Sequence, residues 1–407
     1  MQACGSPNGN HTAKARAMAM ADIVPTSERT PLRIALFSGN YNYVRDGANQ
    51  ALNRLVGYLL SQGCDVRVYA PKVENPAFEA TGELVGVPAL PIPGRSEYRV
   101  PMALSPRVRR DLGRFAPHVV HVSSPDVVAH RAVSWARSRN IPVLASVHTR
   151  FETYPQYYGM GFLEAPLLAG LKRFYNRCDA LVAPSDSMVT LLKEQGMNEN
   201  VSLWTRGVDR EIFSPVARDM AWRRSLGIAD DEQVIGFLGR LVMEKGLDVF
   251  SAACAELDKR GVKHRVLVIG EGPARGWFTE RLSNAVFVGH QMGKDLGRAV
   301  ASMDMLFNPS VTETFGNVTL EAMACALPVV AAVATGSQSL VADGVSGKLV
   351  EPGDIDGFAD ALSAYCTDPA LASTHGAAGE ARASEYGWDE VNSAVLSAYC
   401  QLLAPQG

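Results

Sequence analysis

The hydrophobic positions of this chain form short continuous runs, separated by longer segments in which apolar residues follow helical spacing. Each run covers three to five residues, a length typical of a buried strand. The first series of runs comprises 34–37, 66–69, 119–122, 143–147 and 181–183. The second series comprises 234–238, 266–269, 286–288, 305–307 and 328–332.

The segment after the first run shows how the runs are connected. Its apolar residues lie on one helix face, at Leu52, Leu55, Val56, Leu59 and Leu60. Asp46 is expected to cap this helix and Gly63 to end it. Apolar runs that alternate with helices indicate parallel strands covered on both faces. The sequence therefore predicts an α/β fold of doubly wound, Rossmann-like sheets.

The pattern stops and restarts, which predicts two such domains. Residues 1–30 are rich in small and polar residues and are expected to be disordered. The first Rossmann-like domain is expected at 31–208 and the second at 209–385, with a linker at 209–215. A last helix within 386–407 is expected to pack back on the first domain. Two doubly wound domains that face each other enclose a cleft at the carboxyl ends of their strands.

Composition narrows the possible partners and the compartment. The net charge of −3 argues against a nucleic-acid partner but leaves room for a local basic patch that contacts a membrane. No apolar run approaches the roughly 18 residues of a membrane span, and residues 1–30 lack the apolar core of a secretory signal. The cysteines are scattered, odd in number and never in a Cys-x-x-Cys pair, as expected for reduced thiols of a cytoplasmic protein without a zinc site.

The strongest chemical signal lies in residues 310–324. Asn317 is expected to cap a helix whose free backbone N–H groups suit a diphosphate or sugar hydroxyls. Glu313 precedes this helix and Glu321 lies one turn inside it. Each carboxylate could accept two hydrogen bonds from a sugar or ribose diol. The alternative is a capped surface helix with an ordinary glutamate.

A second signal follows the strand that opens the second domain. Arg240 and Lys245 lie five residues apart in the segment 239–246, at the carboxyl end of that strand. Arginine offers a planar fork and lysine a point charge, so the two cations can share one diphosphate. They would neutralise the charge that grows on a diphosphate leaving group. A solvated basic turn is the alternative.

Two features of the first domain are weaker candidates. The loop 39–47 lacks Gly-x-Gly-x-x-Gly, so the dinucleotide fingerprint is absent. Its side chains, Tyr41 and Asn42 among them, either contact an acceptor or the donor phosphates or belong to an ordinary connecting loop. His148 ends a strand run, where cleft residues belong, although a satisfied core histidine fits the same position.

No convincing metal motif is present. Asp354 and Asp356 spell Asp-x-Asp, but they follow Pro-Gly and precede a helical pattern, which favours helix capping. His118 and His121 straddle the start of a strand and have no third ligand nearby, so both are interpreted as structural.

Taken together, these residues resemble the family-4 retaining glycosyltransferases of the GT-B fold, over nearly all of residues 31–403. Within that family the chain is most similar to two branches, the sulfolipid synthases and the GDP-mannose-dependent mannosyltransferases. The strings that carry the resemblance are 104–108, 120–125, 148–149, 203–209, 239–246, 270–273, 313–321 and 343–347.

The resemblance implies roles for individual residues. Arg240 and Lys245 would bind the donor diphosphate and stabilise its departure, Glu313 would contact the donor sugar, and Glu321 would hold the ribose. His148 would approach the reacting carbon. The remaining donor contacts implied are Gly239, Gly270, Met292, Phe315, Gly316, Asn317 and Val318. Tyr41, Asn42 and Arg150 would lie on the acceptor side.

The resemblance also implies a reaction. Family members retain the anomeric configuration, need neither metal nor cofactor, and react on one face of the sugar, with the leaving phosphate taking the acceptor proton. The chain departs from the pattern in three places. Arg150 stands where the branch often has Asp or His, 335–338 replaces a Gly-Gly-x-x-Glu stretch, and the loop 39–47 lacks the usual paired glycines.

The function expected from this resemblance is transfer of a hexose from a UDP- or GDP-sugar to a lipid or lipid-linked glycan. A sugar-nucleotide epimerase of the same fold and a non-catalytic sugar-nucleotide-binding protein are the alternatives. The protein is expected in the cytoplasm, with peripheral contact at the inner membrane face. An apolar rim at 157–163, with Leu167, Leu168 and Leu171, would serve that contact unless these side chains pack as a buried helix.

Overall fold

The structure is a computed structural model that describes residues 30–43, 47–92, 95–150 and 161–404. Three expectations lie outside these ranges: the extension up to residue 29, the cap at Asp46, and the part of the apolar rim at 157–160. Within the described ranges, no helix is both long enough and apolar enough to cross a bilayer.

The first domain alternates strands with helices. Its strands are β1 (Arg33–Phe37), β2 (Asp65–Ala70), β3 (Glu83–Gly86), β4 (Ala89–Ile92), β5 (Arg95–Pro101), β6 (Val119–Val122), β7 (Val143–Ser146), β8 (Ala180–Ala183) and β9 (Val201–Leu203). Its helices are α1 (Gly47–Ser61), α2 (Pro106–Phe115), α3 (Val127–Arg137), α4 (Glu164–Tyr175) and α5 (Asp186–Glu194).

The second domain repeats this alternation. Its strands are β10 (Val234–Leu238), β11 (Arg265–Ile269), β12 (Ala285–Gly289), β13 (Met305–Asn308), β14 (Val329–Ala332) and β15 (Gly347–Val350). The helices that follow the first domain are α6 (Met220–Ser225), α7 (Leu247–Lys259), α8 (Arg275–Thr279), α9 (Gly293–Ala301), α10 (Asn317–Ala324), α11 (Thr335–Leu340), α12 (Ile355–Thr367), α13 (Pro369–Ala383) and α14 (Trp388–Leu403).

Both large sheets are parallel throughout. The first has the strand order β3-β2-β1-β6-β7-β8-β9 and the second β12-β11-β10-β13-β14-β15. Strands β4 and β5 form a separate antiparallel hairpin. Every hydrophobic run of both series became a strand of one of these sheets, so the predicted α/β class with two Rossmann-like domains is confirmed.

Helices cover each sheet on both faces because the strands are apolar on both sides. One face of the first sheet packs against α2, α3, α4 and α5, and the other against α1 and α14. The faces of the second sheet form two further clusters, one with α9, α10 and α11 and one with α7, α8 and α12. Burial of this apolar surface is the main force that holds both domains together.

The last helix returns to the first domain. Val395 and Tyr399 of α14 are fully buried in the same cluster as α1. The Tyr399 hydroxyl lies 2.6 Å from Nδ1 of His121 in β6, and Trp204 Nε1 donates to Oδ1 of Asn392 at 3.4 Å. The chain therefore crosses between the domains twice, before the second domain and after it.

Candidate active site

The crevice that holds most of the predicted donor residues lies at the carboxyl edge of the second sheet. Strands β10 and β13 are neighbours there, and the chain runs outward from them in opposite directions, to β11 and β14. Loops that leave adjacent strands in opposite directions open a crevice between them, where ligands of such sheets bind. The segments 239–246 and 309–316 line this crevice because they follow β10 and β13 directly.

An ion pair joins the two loops. Lys245 Nζ donates to Glu313 Oε1 at 2.6 Å, and their side chains are 30% and 17% exposed. Lys245 ends a short 3-10 turn, and Gly246 follows it with φ of 73°. A Cβ at Gly246 would lie 3.0 Å from the Pro309 carbonyl oxygen. The turn is thus packed tightly on the opposite loop, and this packing keeps the lysine within hydrogen-bonding distance of the glutamate.

The start of helix α10 corrects one expectation. Gly316, with φ of 96°, occupies the N-cap position, and Asn317 is the first helical residue rather than the cap. Asn317 Nδ2 instead lies against Gly47, where a Cβ would collide with it. This end of α10 therefore faces the start of α1 across the two domains, with its first backbone N–H groups uncapped by any side chain.

Helix α11 supports the loop before α10. The backbone N–H of Gly336 donates to the Glu313 carbonyl at 2.9 Å, and a Cβ on Gly336 would lie 2.5 Å from the Phe315 carbonyl carbon. Phe315 itself is 4% exposed. The stretch 335–338, which departs from the family pattern, therefore contributes close backbone packing, while its last side chain, Gln338, is exposed.

Glu321 lies inside α10 near this ion pair. Burial, together with the negative charge of Glu313, raises the pKa of the Glu321 carboxyl to about 8. A group with that pKa holds its proton through most of the neutral range and can either donate or accept a hydrogen bond. Val318, one turn earlier, is partly buried.

Three strand ends meet closely beside the ion pair. Gly239 and Gly270 have φ of 150° and 140°, and a Cβ on Gly270 would collide with the Gly239 carbonyl oxygen. The Gly239 N–H donates to the Ile269 carbonyl at 3.0 Å and that of Gly270 to the Gly289 carbonyl at 2.9 Å. Glycine is needed here because the backbones approach each other too closely for a Cβ. The absence of side chains keeps this part of the crevice open.

Two predicted donor residues lie at the rim. The Arg240 side chain is exposed and makes no hydrogen bond or ion pair with any described residue, so it does not join the Lys245–Glu313 pair. Met292 is 54% exposed. The structure therefore brings Lys245, Glu313 and Glu321 together and leaves these two side chains facing solvent.

His148 faces the donor loop from the first domain. Its carbonyl accepts a hydrogen bond from Thr314 Oγ1 at 2.9 Å, and the Thr314 carbonyl accepts one from Ser185 Oγ at 2.8 Å. Ser187 Oγ donates to the Thr335 carbonyl at 2.5 Å. These bonds close the cleft at this point and bring His148 next to the loop that carries Glu313.

The imidazole of His148 is held on both sides. Ser146 Oγ lies 2.9 Å from Nε2, and Arg206 Nη2 lies 2.7 Å from Nδ1. Burial, then the charges of Arg206 and His121, keep the pKa of His148 well below its usual value. Sequence reasoning gave Arg206 no role. The only sequence signal for Arg206 is that it lies in 203–209, one of the segments that carry the family resemblance. The resemblance implies no donor or acceptor contact for that segment.

Burial bears on two of the acceptor-side expectations. Tyr41 is fully buried and its hydroxyl donates to the Thr81 carbonyl at 2.7 Å. Asn42 is 4% exposed and its Nδ2 donates to the Phe78 carbonyl at 3.0 Å. Both side chains hold the loop after β1 to its own domain, and the fully buried Tyr41 is not available to an acceptor. Arg150 is partly exposed at the end of the segment that follows β7.

Asp354, His118 and His121, which were not expected to bind a metal ion, have structural roles as predicted. Asp354 caps α12, with Oδ1 accepting from the Gly357 N–H at 2.9 Å. His121 is fully buried against Tyr399, and His118 Nδ1 accepts from the Arg33 N–H at 3.0 Å. Among the described residues, no group of three His, Cys, Asp or Glu side chains is placed to hold a metal ion.

Two facing Rossmann-like domains, with a cation and two carboxylates near the switch point of the second sheet, have the architecture of the GT-B fold. Residues 45–212 match the model of Glycosyltransferase Family 4, and residues 232–368 match that of Glycosyl transferases group 1. The chain belongs to this family and is a hexosyltransferase that uses a nucleotide sugar.

Curated relatives cover nearly the whole chain. A GDP-mannose-dependent alpha-mannosyltransferase of Mycolicibacterium smegmatis is 31% identical over 342 residues, which is 83% of this chain and 88% of the relative. A sulfoquinovosyl transferase of Arabidopsis thaliana is 30% identical over 374 residues, which is 89% of this chain and 72% of the relative.

Solved structures share the fold. A sucrose-phosphate synthase from Thermosynechococcus elongatus superimposes with a TM-score of 0.76 at 21% identity, covering 91% of this chain and 99% of that one. The Anabaena protein HepE, solved in complex with UDP, gives a TM-score of 0.71 at 19% identity, covering 91% of this chain and all of that one.

Proposed function

We propose that this enzyme transfers a hexose from a GDP- or UDP-sugar to a lipid or lipid-linked glycan, with retention of configuration and without metal or cofactor. The observation that carries the proposal is the Lys245–Glu313 pair at the switch point of the second sheet. It sets one cation and one carboxylate side by side, next to the uncapped start of α10. The relatives described as GDP-mannose-dependent and as a sulfoquinovosyl transferase support a hexose donor.

The donor diphosphate is proposed to lie between Lys245 and the start of α10. A cation and free helix N–H groups both stabilise the charge that develops when the diphosphate leaves. The exposed Arg240 side chain can swing onto the same phosphates, because no described residue holds it elsewhere. Protein groups would then supply the charge neutralisation that a divalent ion supplies in other enzymes, which supports metal independence.

The carboxylates are proposed to orient the two sugars of the donor. Glu313 lies nearer the first domain and would accept from hydroxyls of the transferred hexose, while Glu321 would hold the ribose. Both nitrogens of His148 are already bonded to protein atoms, so the imidazole is not a base poised at the reacting carbon. This supports a same-face displacement in which the departing phosphate oxygen takes the acceptor proton.

A donor panel tests this proposal. We expect one nucleotide sugar, among GDP- and UDP-linked mannose, glucose, glucuronate and sulfoquinovose, to raise the melting temperature of the purified enzyme and to be turned over. The new glycosidic bond should have the anomeric configuration of the donor by NMR, and excess chelator should leave the rate unchanged. Inversion would refute the same-face mechanism, and a rate restored only by a divalent ion would refute metal independence.

The acceptor and the membrane contact are proposed from the surface of α2. Its apolar residues are buried, and its outer face carries four exposed arginines: Arg107, Arg109, Arg110 and Arg114. Its single acid, Asp111, is bonded to Arg67 and Tyr69 of β2 at 3.0 Å and 2.9 Å. The outer face therefore has positive charge that no acid of the same helix offsets, although the whole chain has a net charge of −3.

The same domain also exposes apolar side chains. Leu90 and Val100 are cross-strand partners in the β4–β5 hairpin and are 57% and 37% exposed; Met102, two residues on, is 45% exposed. Phe162 and Leu167, from the expected rim, are 78% and 39% exposed, whereas Leu171 is buried. A domain that exposes both arginines and apolar side chains suits the interface of an anionic membrane. The unpaired cysteines of the described residues support placing this contact on the cytoplasmic side.

Charge reversal on α2 tests the membrane contact. We expect Arg110→Glu with Arg114→Glu to lower binding to phosphatidylglycerol-containing vesicles by at least about tenfold, because each basic side chain near such a surface contributes about 1 kcal/mol. Co-sedimentation measures it. Lys259→Glu with Lys263→Glu, two exposed cations of the second domain, is the matched control. Equal binding by both double variants would contradict the assignment to α2.

A further inference from the structure

Arg206 is a buried cation at the edge of the cleft whose contacts converge on the His148 ring. It is 5% exposed, and its Nη1 donates to the Trp204 and Thr205 carbonyls, both at 3.0 Å. The guanidinium carbon lies 4.9 Å from the centre of the Trp204 ring. The other terminal nitrogen, Nη2, lies 2.7 Å from His148 Nδ1. The fork is therefore fixed on one side by backbone carbonyls and aimed at the imidazole on the other.

This contact sets the protonation state of His148. Arginine has only donors and keeps its proton, so Nδ1 of His148 must accept and carries no hydrogen. The remaining ring proton is then on Nε2, which donates to Ser146 Oγ at 2.9 Å. A second proton on Nδ1 would point at the guanidinium, which excludes the charged ring as long as Arg206 is in place.

We propose that Arg206 is a positioning residue for glycosyl transfer, which holds His148 as the neutral Nε2–H tautomer and in one orientation. The inference rests on the proposed function, because it assigns His148 to the reacting cleft. Thr314 links the same histidine to the donor loop: its hydroxyl donates to the His148 carbonyl at 2.9 Å, one residue from Glu313. Arg206 thereby fixes the ring of the residue whose backbone carbonyl binds the donor loop.

The groups that face the imidazole explain why the arginine matters. Trp204 packs edge-on at 5.4 Å between ring centres, Ser146 lies on the Nε2 side, and His121 is the second titratable neighbour. His121 is itself fully buried and its pKa is lowered to about 3, so it is neutral at physiological pH. Of the groups that perturb the pKa of His148, Arg206 is therefore the one with a permanent charge.

A purely structural role predicts something different. If Arg206 served only to hold the turn at Trp204 and Thr205, an apolar side chain of similar length would lower stability and leave the titration of His148 unchanged. Buried ion and hydrogen-bond networks are often replaceable by apolar groups at little cost to stability. The titration of His148 therefore separates the two roles.

The test compares Arg206→Met with Arg206→Lys in the full-length enzyme. Nitrogen-15 NMR of the histidine rings should show wild-type His148 as a single Nε2–H tautomer from pH 5 to pH 8. In Arg206→Met we expect mixed tautomers and a higher pKa for His148, since the guanidinium charge is gone. Lysine, which keeps a charge and a donor, should restore most of the wild-type tautomer.

Kinetics supply the second measurement. Arg206→Met should lower kcat by about tenfold to a hundredfold, the loss expected for a charged hydrogen bond. The acid limb of its pH–kcat profile should move to higher pH. Arg67→Met is the matched control, because Arg67 also stacks on a ring, that of Phe115 at 4.6 Å, but pairs with Glu83 and Asp111 and not with a histidine. An unchanged His148 titration in Arg206→Met would overturn the inference even if the enzyme were active. A changed titration of His148, found alongside a wild-type protein that has no transferase activity, would instead refute the proposed function.

Discussion

Lys245→Ala is expected to lower kcat by about two to three orders of magnitude, the loss typical for a group that stabilises developing transition-state charge. The structure gives the reason: Lys245 is the cation that the packed turn before Gly246 holds in the crevice, 2.6 Å from Glu313. Arginine should restore little, because a planar fork cannot take the place of a compact ammonium group in so tight a contact.

The measurement is steady-state turnover with the donor identified by the panel. The fold should survive, since both side chains of the pair are partly exposed and such pairs contribute about 1 kcal/mol or less. Lys259→Ala is the control, because Lys259 also pairs with a glutamate, Glu256, at 2.9 Å but on the surface of α7. Wild-type turnover by folded Lys245→Ala would remove this lysine from the site.

Glu313→Ala extends the same prediction. It removes the proposed sugar contact and leaves Lys245 without its carboxylate, so transfer should again be lost. Residues that act as one unit show strongly non-additive effects. The double variant should therefore be little worse than either single one, whereas additive losses would indicate that the two side chains act separately.

The sheets were predictable because buried parallel strands are apolar on both faces. What the sequence did not predict are three of the four edge strands, β3 and β9 of the first sheet and β15 of the second, and the β4–β5 hairpin. Val201–Leu203 is only three residues long, partly exposed and interrupted by a serine, so it forms no continuous hydrophobic run.

The site was predictable in part, for a related reason. The carboxyl ends of neighbouring parallel strands meet, so Lys245 and Glu313 could be placed in one cleft from sequence position alone. Their direct contact could not, because it depends on how the turn before Gly246 packs on Pro309. Tyr41 shows the opposite error: an aromatic residue in a loop at the right sheet edge is a fully buried anchor.

The contacts of His148 show a further limit. His148 can be recognised as a cleft residue from its place at the end of β7. The protonation state of its ring, however, is set by Arg206, which is 58 residues further along the chain. No local pattern connects the two. Contacts of this kind depend on how separate strands end beside one another, and only the folded structure shows them.

Glu321→Gln is expected to make the enzyme more stable, by an amount that grows with pH. In the folded state the pKa of Glu321 is raised to about 8 from its ordinary 4.5, by burial first and then by the charge of Glu313. Between these two values the unfolded chain releases a proton that the folded protein retains, so rising pH favours unfolding by about 1.4 kcal/mol per pH unit for this group. Glutamine removes that penalty.

Melting temperatures at pH 5 and pH 8.5 measure this effect. Wild type and Glu321→Gln should melt within a few degrees of each other at pH 5, and the variant should melt clearly higher at pH 8.5. Glu351→Gln, an exposed glutamate of the same domain, should show no such difference. Equal shifts at both pH values would mean that Glu321 is already ionised in the folded protein.

The same carboxyl should make donor binding pH-dependent. A ribose diol donates hydrogen bonds, so it prefers the ionised carboxylate, and below pH 8 its binding must first remove the proton. Donor affinity in wild type should therefore rise as pH approaches 8, and Glu321→Gln should bind more weakly and without that rise. A variant that gains stability while losing affinity would identify Glu321 as a buried acid whose cost to folding is retained because the donor needs it. Undiminished donor affinity in the variant would remove the ribose contact from the proposed site.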